Sequence, residues 1–291
     1  MSQVPLGRPH LGKNADDEYA RRVLPELPEV EIVRKQLSSV WLGRRIERVE
    51  SVEKNYFFVT SPRTLQTKLK GRTLCELKRH GKSLIAHLDD GSRLHLHLGM
   101  TGQFVSKRLP QDGHVHLVLY LSESQVISFR DVRKFGKVEW LAPGKSSRRL
   151  DKLGPDALTI TPGQLLKGLS GRRLVIKAAL LHQEILAGIG NIYADEILFK
   201  AHISPFRISN DLSIDETKRI ARAIISILTK AVKSGGSSIS DYIQPDGSRG
   251  AFQDSHKVYG KTGKPCPQCQ TPILRKTIGG RSSHYCKNCQ I

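Results

Sequence analysis

Two CxxC pairs near the end of the chain, Cys266-Pro267-Gln268-Cys269 and Cys286-Lys287-Asn288-Cys289, stand 16 residues apart, a spacing at which four thiolates enclose a tetrahedral zinc ion. Four thiolates leave no open coordination position, so a single zinc held by Cys266, Cys269, Cys286 and Cys289 would be structural rather than catalytic. At the other end stands Leu24-Pro25-Glu26-Leu27-Pro28-Glu29-Val30-Glu31, two prolines and three acids directly before an apolar stripe. Pro25 has a nucleophilic secondary amine only where it begins a chain; inside a chain its nitrogen is an inert amide. Taken locally, the stretch reads as a capped helix entering a core, with Pro28 in the first turn and the acids at the positive end of the helix dipole. A third group, Ile185-Leu186-Ala187-Gly188-Ile189-Gly190-Asn191-Ile192-Tyr193-Ala194-Asp195-Glu196, reads as a helix, a tight glycine turn and a second helix. Its glycines let backbone amides approach a phosphate, and Asn191 adds a donor at the helix entry. A glycine turn between helices is, however, usually only a turn.

The elements that must position these residues change character along the chain. Val30, Val33, Leu37, Val40 and Trp41 form a helical stripe ended by Gly43, by the 3.6-residue period of an amphipathic helix. Residues 44–140 read as strands, at 45–52, 84–88, 94–98, 116–121 and 126–129, separated by turn signals such as Asp89-Asp90-Gly91 and predicting an antiparallel sandwich or barrel. Short basic patches lie between them, Lys78-Arg79-His80-Gly81-Lys82 and Arg130-Asp131-Val132-Arg133-Lys134-Phe135-Gly136. From about residue 158 the pattern is helical, strongest over 214–232 with Ile220, Ala221, Ile224, Ile225, Leu228, Ala231 and Val232. Gly235-Gly236-Ser237-Ser238 and Gln244-Pro245-Asp246-Gly247-Ser248-Arg249-Gly250 read as loop, a lid over a substrate or a linker. Between the cysteine pairs, Arg275, Lys276 and Arg281 suit a short hairpin presenting positive charge.

Composition sets the class of partner. The 291 residues carry a formal charge of +20, 47 basic minus 27 acidic, which points to a polyanion, most commonly nucleic acid. A ribosomal or membrane-surface protein would share that balance. Four of the five cysteines fall in the last 26 residues, as in a metal site of a reducing compartment rather than a disulfide framework. Cys75 stands alone and reads as a small buried apolar residue. Residues 1–24 read as a disordered extension without a secretory signal, and no apolar run approaches transmembrane length. A cytoplasmic location and no membrane partner are expected.

On the motifs Pro25-Glu26-Leu27-Pro28-Glu29-Val30-Glu31, His97-Leu98-Gly99-Met100, Arg133-Lys134-Phe135-Gly136, Ala187-Gly188-Ile189-Gly190-Asn191-Ile192-Tyr193-Ala194-Asp195-Glu196, Val258-Tyr259-Gly260 and the terminal cysteines, the chain resembles the bacterial formamidopyrimidine-DNA glycosylase family over residues 24–291. The resemblance implies an α+β multidomain fold: an N-terminal catalytic β-sandwich with a flanking helix (25–157), a helical helix-two-turns-helix DNA-binding domain with a lesion-facing loop (158–250), and a C-terminal zinc-ribbon β-hairpin (251–291). It implies a bifunctional glycosylase and abasic-site lyase of base-excision repair. Such an enzyme excises 8-oxoguanine and formamidopyrimidines from double-stranded DNA through a Schiff base and cleaves the strand by β,δ-elimination. The bacterial cytoplasm, association with the nucleoid, and a monomer are implied with it.

By the same resemblance, Pro25 is the nucleophile, Glu26 the acid toward the sugar ring oxygen, Lys82 an acid/base and phosphate group, and Arg281 the hairpin-tip residue on the flanking phosphate. Met100, Arg133 and Phe135 match the residues that fill the void left by the extruded nucleotide. His114, Arg133, Arg172, Lys177 and Asn191 match regions of DNA phosphate contact. Val132 departs from a common proline, and Gly247-Ser248-Arg249-Gly250-Ala251-Phe252 departs from the usual lesion-facing loop. The residues preceding Pro25 are the larger departure, since they would block its amine. Translation starting at Leu24 with the initiator removed, or cleavage before Pro25, would free it. If the extension is retained, the chain reads as a non-catalytic damaged-DNA-binding protein instead. A relative preferring oxidised pyrimidines is a third reading, disfavoured by Leu27 and the Arg133-Lys134-Phe135 segment.

Overall fold

The computed structural model describes residues 25–51, 58–107, 109, 112–238 and 248–291. The expectations for the extension 1–24 and for positions 244–247 of the loops read at 244–250 and 247–252 fall outside these residues.

Helix α1 (Leu27–Trp41) is the first element of the described residues, with Pro28 in its first turn and the Glu26 amide donating to the Glu29 carboxylate at 2.9 Å. Two four-stranded antiparallel sheets follow. One has the order β1 (Ile46–Ser51), β6 (Val115–Leu121), β7 (Val126–Asp131), β5 (Gly102–Val105). The other runs β2 (Leu74–His80), β3 (Ser83–Leu88), β4 (Arg93–His97), β8 (Lys137–Leu141). Their inner faces interdigitate as a sandwich around Leu84, Leu96, Phe104, Leu117, Phe129 and Val138, as two amphipathic sheets must if each is to bury one face.

The strands predicted from alternation are present to within a residue or so over their described lengths, whereas β2, β5 and β8 were hidden by charged or short segments. A helix, α2 (Pro62–Leu69), interrupts what reads as an all-strand region; Ser61 caps it by accepting from the Thr64 amide, and Pro62 begins it. Cys75 is exposed, contrary to the buried position expected of it. The cause is a register irregularity between Leu74 and Glu76, a bulge that lets Cys75 and Glu76 both face outward between the buried Leu74 and Leu77.

Beyond the short α3 (Arg148–Asp151), four helices form the second core: α4 (Pro162–Leu169), α5 (Ile176–Leu181), α6 (Asn191–Ala201) and α7 (Ile214–Lys233). Ser213 and Glu216 close a capping box at the start of α7, and Ile220, Ile224, Leu228 and Ala231 face the core. The first helix predicted around 185 ends earlier, at Leu181, so the turns between helices span 182–190. A hairpin, β9 (Leu274–Ile278) and β10 (Arg281–Tyr285), completes the chain over a small core of Phe199, Val258, Cys266, Ile273 and Cys286.

Two helices are shared between cores. α1 gives Val30, Val33, Leu37 and Trp41 to the sandwich but Leu27 to the helical core. α6, buried on nearly every side, gives Ile192, Ile197 and Leu198 to the helical core and Phe199 to the zinc-hairpin core. Truncating Leu228, fully buried in the helical core, to alanine should cost about 2–5 kcal/mol. The helical transition in urea, followed by far-UV circular dichroism, should move to a correspondingly lower midpoint.

Candidate active site and nucleic-acid interface

The seam between sandwich and helical domain is closed by a carboxylate. Glu26, 2% exposed, accepts from the amides of Gly190 at 2.7 Å, Ile192 at 2.9 Å and Tyr193 at 3.4 Å. These are the otherwise unpaired donors of the first turn of α6, at the positive end of its dipole. The acids complement α1 as expected, Glu29 in its first turn closing a capping box with Glu26, and Glu26 completes a second helix as well. Burial pushes its carboxyl above the ordinary range, while the Lys82 ammonium and the three amides pull the other way. Pro25, adjacent to it, is buried.

Glu29 lies directly behind. Its carboxylate accepts from the Tyr193 hydroxyl at 2.7 Å, the Ser237 amide at 2.8 Å and the Glu26 amide at 2.9 Å. Burial pushes this carboxyl up to about 7, with Glu26 adding to the rise and the hydrogen bonds opposing it. The Ser237 hydroxyl continues the network to His256 Nε2 at 3.1 Å.

Lys82 sits in the β2–β3 turn, half-buried. Loss of solvent lowers its amine below the usual lysine range; Glu26 and Glu29 oppose that, and Arg281 adds to it. Lys82, Glu26, Glu29 and Arg281 therefore interact across three elements, the turn, α1 and the exposed start of β10. Four of the predicted site residues, Pro25, Glu26, Lys82 and Arg281, converge here.

His97 joins them without having been singled out as a site residue. Its Nδ1 accepts from the Gly99 amide at 3.0 Å, which leaves Nε2 as the protonated nitrogen and a donor. Burial lowers it to about 4, aided by His95, Lys82, Arg149 and Lys137, so the imidazole is neutral at physiological pH.

The predicted void-filling residues form a second group. Asp131, fully buried, accepts from the Thr101 hydroxyl and from the Gly136 amide at 2.7 Å, and the Arg133 amide donates to the Thr101 hydroxyl at 3.0 Å. This clasp joins the turn after Met100 to the turn carrying Arg133 and Phe135. Phe135 is 49% exposed, and the Arg133 guanidinium lies 5.0 Å from its ring centroid. Met100 is half-buried.

The predicted phosphate contacts separate. His114 and Arg172 are exposed, on the loop before β6 and the turn after α4, and Asn191 is half-buried at the start of α6. Lys177 is different: fully buried, it pairs with Asp195 Oδ1 at 2.7 Å and donates to the Ser282 carbonyl at 2.7 Å. Its ammonium is consumed inside the protein, where it ties α5, α6 and β10 together rather than facing a surface. Asp195 also accepts from the amide and the ring of His284, at 2.9 and 3.0 Å.

At the hairpin base, the sulfurs of Cys266, Cys269, Cys286 and Cys289 all lie within 4.8 Å of one another. Tetrahedral zinc with sulfur at about 2.3 Å requires sulfur pairs separated by about 3.8 Å, and Cys266 to Cys289 is 3.8 Å. The four thiols fit one structural zinc, which would hold β10 and Arg281 in place.

The sequence pattern assigns no functional role to Tyr193, Ser237, His97, Asp131 or Thr101, and marks Glu29 only as a first-turn acid of α1. Glu29 and Tyr193 lie inside quoted motifs but have partners more than 160 residues away in the chain, so their spacing carries no signal. Asp131 was visible as an acid before a turn, a position at which Asp commonly accepts backbone amides.

Family models agree with this architecture. The formamidopyrimidine-DNA glycosylase N-terminal domain matches residues 24–138, the formamidopyrimidine-DNA glycosylase H2TH domain residues 153–243, and the zinc finger found in FPG and IleRS residues 263–291. A formamidopyrimidine-DNA glycosylase of Solibacter usitatus is 39% identical over 267 residues, 92% of this chain and 99% of that protein. One of Thermus thermophilus is 40% identical over 274 residues, again 92% of this chain and 98% of its own length. Among solved structures, the MutM (FPG) protein of Thermus thermophilus superposes with a TM-score of 0.81 at 39% identity, covering 91% of this chain and 98% of that one. A Lactococcus lactis FPG mutant in complex with Fapy-dG-containing DNA gives 0.82 at 36% identity, covering 91% and 99%.

Glu29 makes a testable contribution to stability. Its carboxyl is raised from about 4.5 to about 7 on folding, so the stability it contributes is complete below pH 4.5 and is lost as pH rises through 7. That loss amounts to roughly 3 kcal/mol. Glu29→Gln should remove it: urea unfolding at pH 5 and pH 8 should show a shallower fall in stability for the variant than for the parent protein. Glu26, raised in the same sense, remains in both.

Proposed function

The chain belongs to the formamidopyrimidine-DNA glycosylase family, and from that premise we propose how its residues carry the chemistry. It is a base-excision repair enzyme, a DNA glycosylase with abasic-site lyase activity, acting on duplex DNA that contains oxidised purines. Its zinc is structural. Among the described residues no helix is long and apolar enough to cross a membrane. Its workplace is the DNA of the bacterial nucleoid.

With its amine free, Pro25 attacks C1′ of the damaged nucleotide. The new N–C1′ bond forms as the glycosidic bond breaks, the proline N–H proton passes to the departing base, and the nitrogen lone pair so freed opens the sugar to an iminium. Glu26 delivers a proton to the ring oxygen as the C1′–O4′ bond breaks. A carboxyl raised by burial retains that proton closer to neutral pH than an exposed one would. The iminium then draws electrons from C2′, whose proton leaves as the 3′ phosphate is expelled; a second elimination expels the 5′ phosphate. Lys82 supplies acid/base and phosphate contact beside Glu26, and Arg281 holds the flanking phosphate during elimination. Water could cleave the base but could not form the iminium.

Extruding the nucleotide costs roughly a few kcal/mol. Met100 and Phe135 wedge the vacated stack, and Arg133 meets the orphaned base. The exposed Phe135 ring beside the Arg133 guanidinium supports this reading. His114, Arg172 and Asn191 supply affinity and register through phosphates. Lys177 serves the same interface from inside, through its bond to the Ser282 carbonyl next to Arg281. Residues 25–157, 158–250 and 251–291 are the working divisions of the molecule.

The observation that carries this reading is the capture of Glu26 by the first amides of α6, with Lys82 and Arg281 within electrostatic reach. Protein beginning at Pro25, incubated with an 8-oxoguanine duplex and borohydride, should yield a covalent protein–DNA adduct, and protein retaining residues 1–24 should yield none. Absence of the adduct with a free Pro25 would refute the enzyme. Retention of the extension in protein from the native cell would favour the damaged-DNA binder instead.

A further inference from the structure

We propose that Arg79 is a positioning residue for the lesion chemistry: clamped between Glu31 of α1 and Asp156 at the entry to the helical domain, it fixes the turn that carries Lys82. The proposal rests on the function assigned above and deepens it.

Arg79 lies near the end of β2, in a patch whose composition suggests only solvated charge. Its side chain is instead 7% exposed. Nε donates to Glu31 Oε2 at 3.0 Å, Nη2 to Asp156 Oδ1 at 3.0 Å, and Nη1 both to Asp156 Oδ2 and to the Gly81 carbonyl, the latter at 3.0 Å. A planar fork with five donors suits two carboxylates and a carbonyl at once; an ammonium cannot reproduce it.

Asp156 closes the circuit. Its Oδ2 also accepts from the Gly81 amide at 2.7 Å, and its Oδ1 from the Leu158 amide at 3.0 Å. Both polar groups of the Gly81 backbone, immediately before Lys82, are thereby fixed by this pair. His80 Nε2 lies 2.9 Å from the Gly154 carbonyl, a further tie across the seam.

The clamp also registers the two domains. The Ala157 amide donates to the Ala187 carbonyl and the Ala187 amide to the Pro155 carbonyl, each at 2.9 Å. One residue on, the Gly188 carbonyl accepts from the Leu27 amide at 3.0 Å. A ring of contacts thus runs from Glu31 through Arg79, Asp156 and Ala187 to Leu27, and Glu26 and its α6 amides sit against it. Gly81, at φ +57°, has no room for a side chain: an added Cβ would lie 2.9 Å from the Ala187 Cβ. The Lys82 backbone is therefore held by Arg79 and Asp156 on one side and by Ala187 on the other.

A buried ion triad by itself adds little net stability, because desolvation offsets the attraction. What this one does is geometric. Displacement of a catalytic group by about 1 Å costs on the order of 10²-fold in rate, and Lys82 is the group the clamp controls.

The test is a double-mutant cycle in zinc-loaded protein of residues 25–291, a span within the limits, 24 to 291, that the family models mark. Single-turnover excision of 8-oxoguanine at saturating protein is compared for the parent, Arg79→Met, Lys82→Gln and the double variant. The parent must first form its borohydride adduct; if it does not, the assigned function fails. Arg79→Met should slow excision by about 10²-fold, with affinity for undamaged duplex nearly unchanged. Once Lys82 is glutamine, the same change should cost less than about 3-fold, because residues acting through one another are not additive. Arg79→Lys should not rescue. Asp156→Asn, which keeps shape but removes the charge, should repeat the pattern and decides the matter if Arg79→Met does not fold. Parent-like excision by these variants, an equal loss with and without Lys82, or misfolding of both would overturn the proposal.

Discussion

Three backbone amides meeting one carboxylate, those of Gly190, Ile192 and Tyr193 on Glu26, set the geometry on which the rest of the molecule depends. A helix begins with unpaired donors and a partial positive charge; here the missing partner comes from another domain. The same contact places Pro25, one residue away, at the seam between the sandwich and the helical domain. Burial and amide donation act on Glu26 in opposite directions, and the buried Glu29 beside it adds a second proton-binding group.

Helix α6 distributes that constraint. It is buried almost all round, which for a helix bearing charges is tenable only if each finds partners. Tyr193 donates to Glu29, Asp195 holds Lys177 and His284, and Glu196 accepts from the amides of Lys257, Val258 and Tyr259. One helix thereby orients the acid, the helical domain and the zinc hairpin with Arg281 at its start. The carboxylates of Glu29, Asp195 and Glu196 tie together residues from all three parts of the chain.

How much of this was legible in the sequence depends on the range of the interaction. The cysteine pairs, the stripe of α7 and the alternating strands are local patterns, and they emerged as expected. Helix α2 was missed because its short segment sits among strands, and Cys75 was misjudged because a bulge breaks the alternation that would have placed it. The site residues nominated by resemblance were legible as identities, but composition alone would call Lys82 and Arg281 surface charge. Lys177 shows the limit: a lysine beside a phosphate and a lysine buried on an aspartate look alike until the fold is known. Arg79 and Asp156, 77 residues apart, carry no pattern that any local reading could detect.

The Glu26 contact with α6 is the centre of the proposed chemistry, and one glycine isolates it. Gly190 is extended, at φ −126°, so alanine suits its backbone, yet an added Cβ would fall 2.3 Å from the Glu26 carboxyl carbon. Single-turnover excision of 8-oxoguanine by Gly190→Ala, measured beside its affinity for an abasic-analogue duplex, reads the contact directly. Excision slowed by about 10²-fold or more with affinity largely kept is the predicted result; excision at the parent rate would contradict the account.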